Sequence, residues 1–305
     1  MIDFPRAPLG HWPTPLQDCP RLTDALGGPR ILVKRDDCSG LALGGNKTRK
    51  LEFLLGQALA EGHRTVVTFG AVQSNHARQT AAACARLGLR CELILSRSVP
   101  RTDELYETSG NVLLDRLLGA GVHIVDGLEE TLAVLERIGP AYVIPPGGSN
   151  AIGAVGYVVA AQELTEAPDR IVLGCSTAGT AAGLVVGSPA RVEAICVYER
   201  AGETGATLDR LIGETSELVG SAPLGGHTVH EDWLGGGYGI PTPEMTEAVR
   251  LFARTEGLLL DPVYTGKAAA GLIGLIRSGR IGPEETVVFW HTGGGPGLFV
   301  YPDAL

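Results

Sequence analysis

Strand-like apolar runs alternate with helix-length segments along most of the chain, and this alternation restricts the fold more than any other feature. Ile31-Leu32-Val33 precedes a long helical pattern that begins near Lys47 and is closed by Gly62. Arg64–Gly70 precedes an Ala-rich helix from His76 to Leu87, and Cys91–Ser96 precedes a helix near Asn111–Leu118. Val122–Val125 leads to a helix at Leu128–Ile138, and Tyr142-Val143-Ile144 leads to one at Ala151–Glu163. The second half continues with strands at Arg170–Gly174, Val192–Tyr198 and Thr286–Trp290, and with helices near Thr207–Leu218 and Met245–Arg254. Strands spaced by roughly 30 residues and joined by helix-length crossovers must run parallel. A chain of 305 residues also exceeds the usual size of one domain. The expectation is an α/β protein of two lobes, each an open, mostly parallel twisted sheet flanked by helices. Pro5, Pro8, Pro13, Pro15, Pro20 and Pro29 make the first 30 residues irregular in this reading, apart from a short helix near Arg21–Leu26.

Composition excludes several classes of function. A net charge of −9, with no basic tract interleaved with aromatics, argues against nucleic acid or an acidic membrane surface as partner. The opening Met1-Ile2-Asp3-Phe4-Pro5 has neither the basic nor the apolar region of a secretory signal. No apolar run reaches the roughly 18 residues a membrane span needs. The six cysteines show no C-x-x-C spacing and no adjacent histidines, so reduced, mostly buried thiols in a cytoplasmic protein are expected, without zinc or other metal. Cys175 stands apart because it adjoins a glycine-containing loop.

Chemistry concentrates at the expected carboxyl ends of strands, where open α/β sheets bind ligands. Gly44-Gly45-Asn46 delivers Lys47 to the first turn of a helix, whose positive end disfavours an ammonium; Lys50, one turn on, pushes the same way. Taken alone, this window reads first as a capped helix with a basic, solvated face. Ser176 to Gly183 joins a strand to a helix through small and hydroxyl residues. That suits a phosphate cradle of backbone N–H groups, or equally a tight helix–sheet contact. It lacks both the G-x-x-x-x-G-K-[ST] and the G-x-G-x-x-G patterns, which argues against a nucleoside triphosphatase and a nicotinamide oxidoreductase. Ser74-Asn75 forms a turn, His291-Thr292-Gly293-Gly294 ends the last strand, and Tyr238 and Tyr264 stand in glycine-containing loops. Together a helix-start lysine, a phosphate cradle, a Ser-Asn turn and a neutral polar group match the aldehyde, phosphate, ring hydroxyl and ring nitrogen of pyridoxal 5′-phosphate.

Six motifs then carry a family resemblance. They are Gly44-Gly45-Asn46-Lys47-Thr48-Arg49-Lys50-Leu51-Glu52, Gln73-Ser74-Asn75-His76, Pro146-Gly147-Gly148-Ser149-Asn150, Gly237-Tyr238-Gly239, Asp261-Pro262-Val263-Tyr264-Thr265-Gly266-Lys267 and His291-Thr292-Gly293-Gly294. In this order the chain resembles the 1-aminocyclopropane-1-carboxylate deaminase/D-cysteine desulfhydrase family of fold-type II pyridoxal-phosphate enzymes, which share the architecture of the tryptophan synthase β chain. The resemblance implies a large cofactor-binding domain of residues 1–44 plus 151–305, a small domain of residues 45–150, and a homodimer. It implies Lys47 as the covalent lysine and Asn75 as partner of the ring hydroxyl. Ser176, Thr177, Ala178, Gly179 and Thr180 would surround the phosphate, and Thr292 would meet the pyridine nitrogen. Ser74, Asn75, His76, Tyr238, Tyr264 and Thr265 would face a small amino-acid substrate, with Ser74, Tyr238 and Tyr264 assisting Lys47 in catalysis. Family members that open the cyclopropane ring resemble one another in a Tyr-Glu pair where this chain has Tyr264-Thr265. The departure points to β-elimination, with D-cysteine as the expected substrate. L-Cysteate, L-cysteine, D-serine, the cyclopropane amino acid, or cofactor binding without turnover are the other readings.

Overall fold

The computed structural model describes residues 4–305. The chain begins with β1 (Leu16–Asp18), α1 (Pro20–Leu26) and β2 (Arg30–Arg35), followed by α2 (Lys47–Ala60), β3 (Thr65–Ala71), α3 (Asn75–Leu87) and β4 (Arg90–Ser96). Next come α4 (Glu104–Thr108), α5 (Gly110–Leu117), β5 (Gly121–Val125), α6 (Leu128–Ile138), β6 (Tyr142–Ile144) and α7 (Ala151–Ala161). The second half holds β7 (Arg170–Cys175), α8 (Gly179–Gly187), β8 (Arg191–Cys196), α9 (Ala201–Val219) and β9 (His227–His230). It ends with α10 (Pro243–Glu256), α11 (Thr265–Arg277) and β10 (Thr286–His291).

Two sheets result, as the alternation of elements requires. One has the order β1-β2-β10-β7-β8-β9, parallel except for β1, which pairs antiparallel with β2. The other is fully parallel with the order β5-β4-β3-β6. Both sheets are buried on two faces. On the first, Leu32, Ile171, Leu173, Val288 and Trp290 pack to one side, and Ile31, Val33, Val172, Val287 and Phe289 to the other. Consecutive residues on opposite faces are what a pleated strand covered by helices on both sides demands.

The strand order matters most for function. In the larger sheet the chain runs outward from β7 through β8 to β9, then returns to place β10 on the other side of β7. In the smaller sheet it runs from β3 through β4 to β5, then returns to place β6 on the other side of β3. Loops leaving neighbouring strands in opposite directions open a crevice at the strand ends. The four loops at these two crevices are those after β7, β10, β3 and β6, and each carries one of the motifs singled out above.

Several elements depart from expectation, among them the short helix α4, which the sequence reading did not place. β1 lies within the stretch read as irregular, because three residues between Pro15 and Pro20 are too short for a period to show, yet an edge position tolerates them. β9, His-Thr-Val-His, is also an edge strand and half polar. α9 starts at Ala201, ahead of the expected Thr207, with Gly202 and Gly205 inside the helix. No helix among the described residues is long and apolar enough to cross a membrane. All six cysteines are free, five of them buried and Cys38 exposed.

Candidate active site

The crevices of the two sheets open into one cavity of about 490 Å³. Its wall includes Lys47, Ser74, Asn75, His76, Ser176, Thr177, Ala178, Gly179, Thr180, Tyr238, Tyr264 and Thr292, residues up to 245 positions apart in sequence. Thr265 is the exception among the expected site residues. It is buried but lies outside the cavity wall, because its hydroxyl donates to Asp261 Oδ1 at 2.7 Å. The same carboxylate accepts the backbone N–H groups of Val263, Tyr264 and Thr265 at 2.9 Å each. Thr265 therefore helps fold the turn that starts α11 and aims Tyr264 at the cavity; it does not face a ligand.

Lys47 reaches the cavity through a strained approach. Ala42, Leu43, Gly44 and Gly45 all have positive φ, at 43°, 66°, 66° and 130°. A Cβ at Gly44 would lie 1.8 Å from the Asp37 carbonyl oxygen, so only glycine fits there. The turn is braced from below by Asp36. This fully buried carboxylate accepts hydrogen bonds from Thr14 Oγ1, Arg49 Nε and Nη2, Tyr157 Oη and Trp290 Nε1. The Arg49 guanidinium and the other donors hold it below the usual carboxylate range, against the opposing effect of burial. Tyr157 Oη also reaches the Asn46 carbonyl at 3.2 Å, and Asn46 N donates to Thr292 O at 2.9 Å. The residue that precedes Lys47 is thus pinned to both the brace and the end of β10.

The chain has four lysines, and their surroundings separate them. Lys34 Nζ pairs with Glu163 at 2.7 Å. Lys267 Nζ donates to the carbonyls of Leu234 and Gly237, fixing the glycine-rich loop that presents Tyr238. Lys50 Nζ donates to Gly147 O at 3.1 Å and Ser149 Oγ at 3.0 Å. Lys47, on the cavity wall, has its amine pulled down to about 8 by burial, the nearby Cys175 thiol acting in the opposite sense. A lysine drawn toward neutrality and opening on a cavity is equipped to act as a nucleophile.

Sequence reasoning gave Lys50 no role, and the structure places it beside the loop after β7. Burial first, and the neighbouring Lys47 charge second, press its amine well below the ordinary range. Its spacing of three from Lys47 was the available signal, since i and i+3 share a helix face. Around it, Ser149 Oγ and Thr177 Oγ1 share a hydrogen bond of 2.7 Å, and Asn46 Nδ2 donates to Thr180 Oγ1 at 3.0 Å. At Gly179, the first residue of α8, a Cβ would stand 2.7 Å from Ser149 Oγ and 3.0 Å from Lys50 Nζ. The helix end is open because no side chain fills it, and hydroxyls, the Lys50 amine and backbone donors surround it. That donor set fits a phosphate monoester.

On the opposite wall Ser74 caps α3, its Oγ accepting from Ala77 N at 3.2 Å. The capping bond leaves the serine proton available to a ligand. His76 is neutral, since burial and the charges of Lys47 and Lys50 all oppose its protonation, and its Nε2 lies 2.8 Å from Thr68 Oγ1. Tyr238 and Tyr264 share a short hydrogen bond between their hydroxyls, and Tyr198 stacks edge-on against Tyr238 at 5.1 Å. Burial raises both bonded phenols above their ordinary range, so they keep their protons.

A buried lysine whose amine is drawn down to about 8, across the strand ends of an α/β fold from a cradle of hydroxyls and backbone donors, fits pyridoxal phosphate. Comparison with known families agrees: residues 7–293 match the family described as pyridoxal-phosphate dependent enzyme, and the chain belongs to it. A solved structure described as an ACC deaminase homologue is 39% identical with a TM-score of 0.87, the match covering 99% of this chain and 95% of that one. A fungal L-serine ammonia-lyase from Rhizomucor miehei is 18% identical with a TM-score of 0.68, covering 96% and 98% of the two chains, and shares the fold.

Proposed function

We propose that this protein catalyses β-elimination from a small amino acid, with D-cysteine as substrate and pyruvate, sulfide and ammonia as products. Bound pyridoxal 5′-phosphate supplies an electron sink for the charge left when the α-proton departs. In this reading Lys47 holds the cofactor's aldehyde carbon, and Ser176 to Thr180 with Lys50 hold its phosphate. Asn75 would donate to the ring hydroxyl and Thr292 would meet the ring nitrogen. The start of α3, with the Ser74 hydroxyl and the positive helix end, binds the substrate carboxylate beside Asn75 and His76. With its amine free, Lys47 Nζ would take the substrate's α-proton. An amine poised near 8 returns that proton readily at neutral pH. The paired phenols of Tyr238 and Tyr264 stay protonated and deliver a proton to the departing sulfur. Water then completes the balance, one molecule consumed for each sulfide and ammonia released.

One observation carries elimination over ring opening. Among the residues lining the cavity the single carboxylate is Glu199, at the rim beside Tyr198. Asp261, behind Thr265, has both oxygens engaged by protein donors. The ring nitrogen then meets a neutral Thr292, which leaves a weaker sink, adequate for losing an α-proton but poorly matched to breaking a carbon–carbon bond. The test is a panel of D- and L-cysteine, L-cysteate, D-serine and the cyclopropane amino acid, following keto acid and leaving group. Sulfide and pyruvate from D-cysteine at the highest kcat/KM support the reading. Faster turnover of the cyclopropane amino acid, or of none of the panel, contradicts it. The same reading includes two domains, residues 1–44 plus 151–305 and residues 45–150, and a cytoplasmic homodimer whose mass light scattering would report.

A further inference from the structure

The direction in which the Asn75 amide points is set by a chain of hydrogen bonds that begins at a group able only to donate. Arg78 is fully buried, and its Nε donates to Asn111 Oδ1 at 2.8 Å. A guanidinium has no acceptor, so the oxygen of Asn111 must face it. The Asn111 amide nitrogen then turns the other way. It donates to the Gln73 carbonyl and to Asn75 Oδ1, each at 3.0 Å. A backbone carbonyl can only accept, which fixes the same orientation a second time. With its oxygen occupied by Asn111, Asn75 presents its NH₂ to the cavity it lines.

We propose that Asn111 is a positioning residue, oriented by Arg78, that compels Asn75 to act as a hydrogen-bond donor toward the cofactor's ring hydroxyl. This rests on the pyridoxal-phosphate reading above and deepens it. Neither Arg78 nor Asn111 lines the cavity, so each acts through another residue. The arrangement is held on every side. Asn111 N donates to Gln73 Oε1 at 2.8 Å, while Gln73 Nε2 donates to the carbonyls of Tyr106 and Ser109. The remaining Arg78 nitrogens donate to the carbonyls of Ala42 and Gly44, within the strained approach to Lys47. The same guanidinium thus ties the lysine loop to the asparagine that faces the same ring. The charge of Asp115 acts on Arg78, but Asp115 makes no hydrogen bond to it, so it does not compete for the Nε proton. The titratable and charged groups on the cavity side are Lys47, Lys50, His76 and, at the rim, Glu199.

The test is Asn111→Asp, which keeps the acceptor for Arg78 and replaces the NH₂ by a second, acceptor-only oxygen. Asn75 then gains by turning its own NH₂ toward the introduced carboxylate and showing its oxygen to the ring hydroxyl. A donor there favours the ionised ring oxygen and an acceptor disfavours it. The pH midpoint of the visible absorption of the loaded protein should therefore rise by about one pH unit, and cofactor affinity should fall about tenfold. In an Asn75→Ala background, Asn111→Asp should move the midpoint no further, whereas general structural damage would still move it. In the unaltered protein, the ¹⁵N side-chain amide resonance of Asn75 should shift on adding pyridoxal phosphate, more than that of Asn111. This measurement needs no variant to fold. An unchanged midpoint in loaded Asn111→Asp, a further shift in the Asn75→Ala background, or an unmoved Asn75 amide would each overturn the relay alone. Unaltered protein that gains no visible absorption with pyridoxal phosphate would overturn the functional reading and the relay with it.

Discussion

Lys47 and Asp115 are both moved by burial toward their neutral forms, and each shift gives a measurable pH dependence. Lys47 is drawn down to about 8, so its amine becomes a nucleophile as pH rises through that value. The rate at which cofactor-free protein develops visible absorption with pyridoxal phosphate should climb with a midpoint near pH 8; a midpoint near the ordinary lysine value of about 10.4 would contradict the assignment. Asp115 is raised to about 7 by burial, against the weaker pull of Arg78 and Arg116, and neither of its oxygens has a hydrogen-bond partner. Its folded form binds a proton that the unfolded chain has released above about pH 4, so its contribution to stability is full at lower pH and is lost as pH rises through 7. Asp115→Asn, which does not titrate, should therefore gain on the wild type by roughly 1–3 kcal/mol between pH 4 and pH 8 in denaturant titrations. A gap that stays constant with pH would contradict this. At this scale the sequence pointed to Lys47, Asn75 and the Ser176–Thr180 loop through motif and spacing, and the structure brings them to one cavity. The sequence did not reveal Lys50, Asn111 or Arg78, whose roles depend on neighbours as many as 99 positions away. It also misassigned Thr265, whose partner Asp261 is local but whose direction no pattern records.

Among the helices, α2 governs the site because it carries both Lys47 and Lys50, and glycines set how closely it packs. A Cβ on Gly156 of α7 would lie 2.4 Å from the Arg49 carbonyl oxygen of α2, and one on Gly183 of α8 would lie 2.3 Å from the Ala154 carbonyl oxygen of α7. The three helices stack through these contacts. Gly156→Ala raises intrinsic helix propensity, yet it should destabilise the protein by at least ~2 kcal/mol, since backbone must move to admit the methyl group. Because α2 is the element displaced, cofactor affinity should fall with it. A variant of unchanged melting temperature and affinity would show that the stack is slack. The alternation of strands and helices was legible because each long element repeats its period several times. The edge strands β1 and β9, of three and four residues, were not, since pairing with a neighbour rather than their own pattern makes them strands.

Across the whole molecule, the site exists because each sheet reverses its strand order once, and the loops leaving those reversals face a common cavity. Parallel sheets could be inferred from crossover length, and loops at strand ends from glycine placement. The strand orders themselves could not, because they rest on pairings between distant segments such as Val288 with Leu32 and Val172 with Phe289. In the proposed reading, this convergence leaves one amine, out of four lysines, to hold the cofactor. Borohydride reduction of the loaded protein, followed by peptide mass spectrometry, tests it directly. A phosphopyridoxyl group is expected on the peptide containing Lys47, lost in Lys47→Ala together with turnover. A label on Lys50, Lys34 or Lys267, or full turnover by Lys47→Ala, would contradict it.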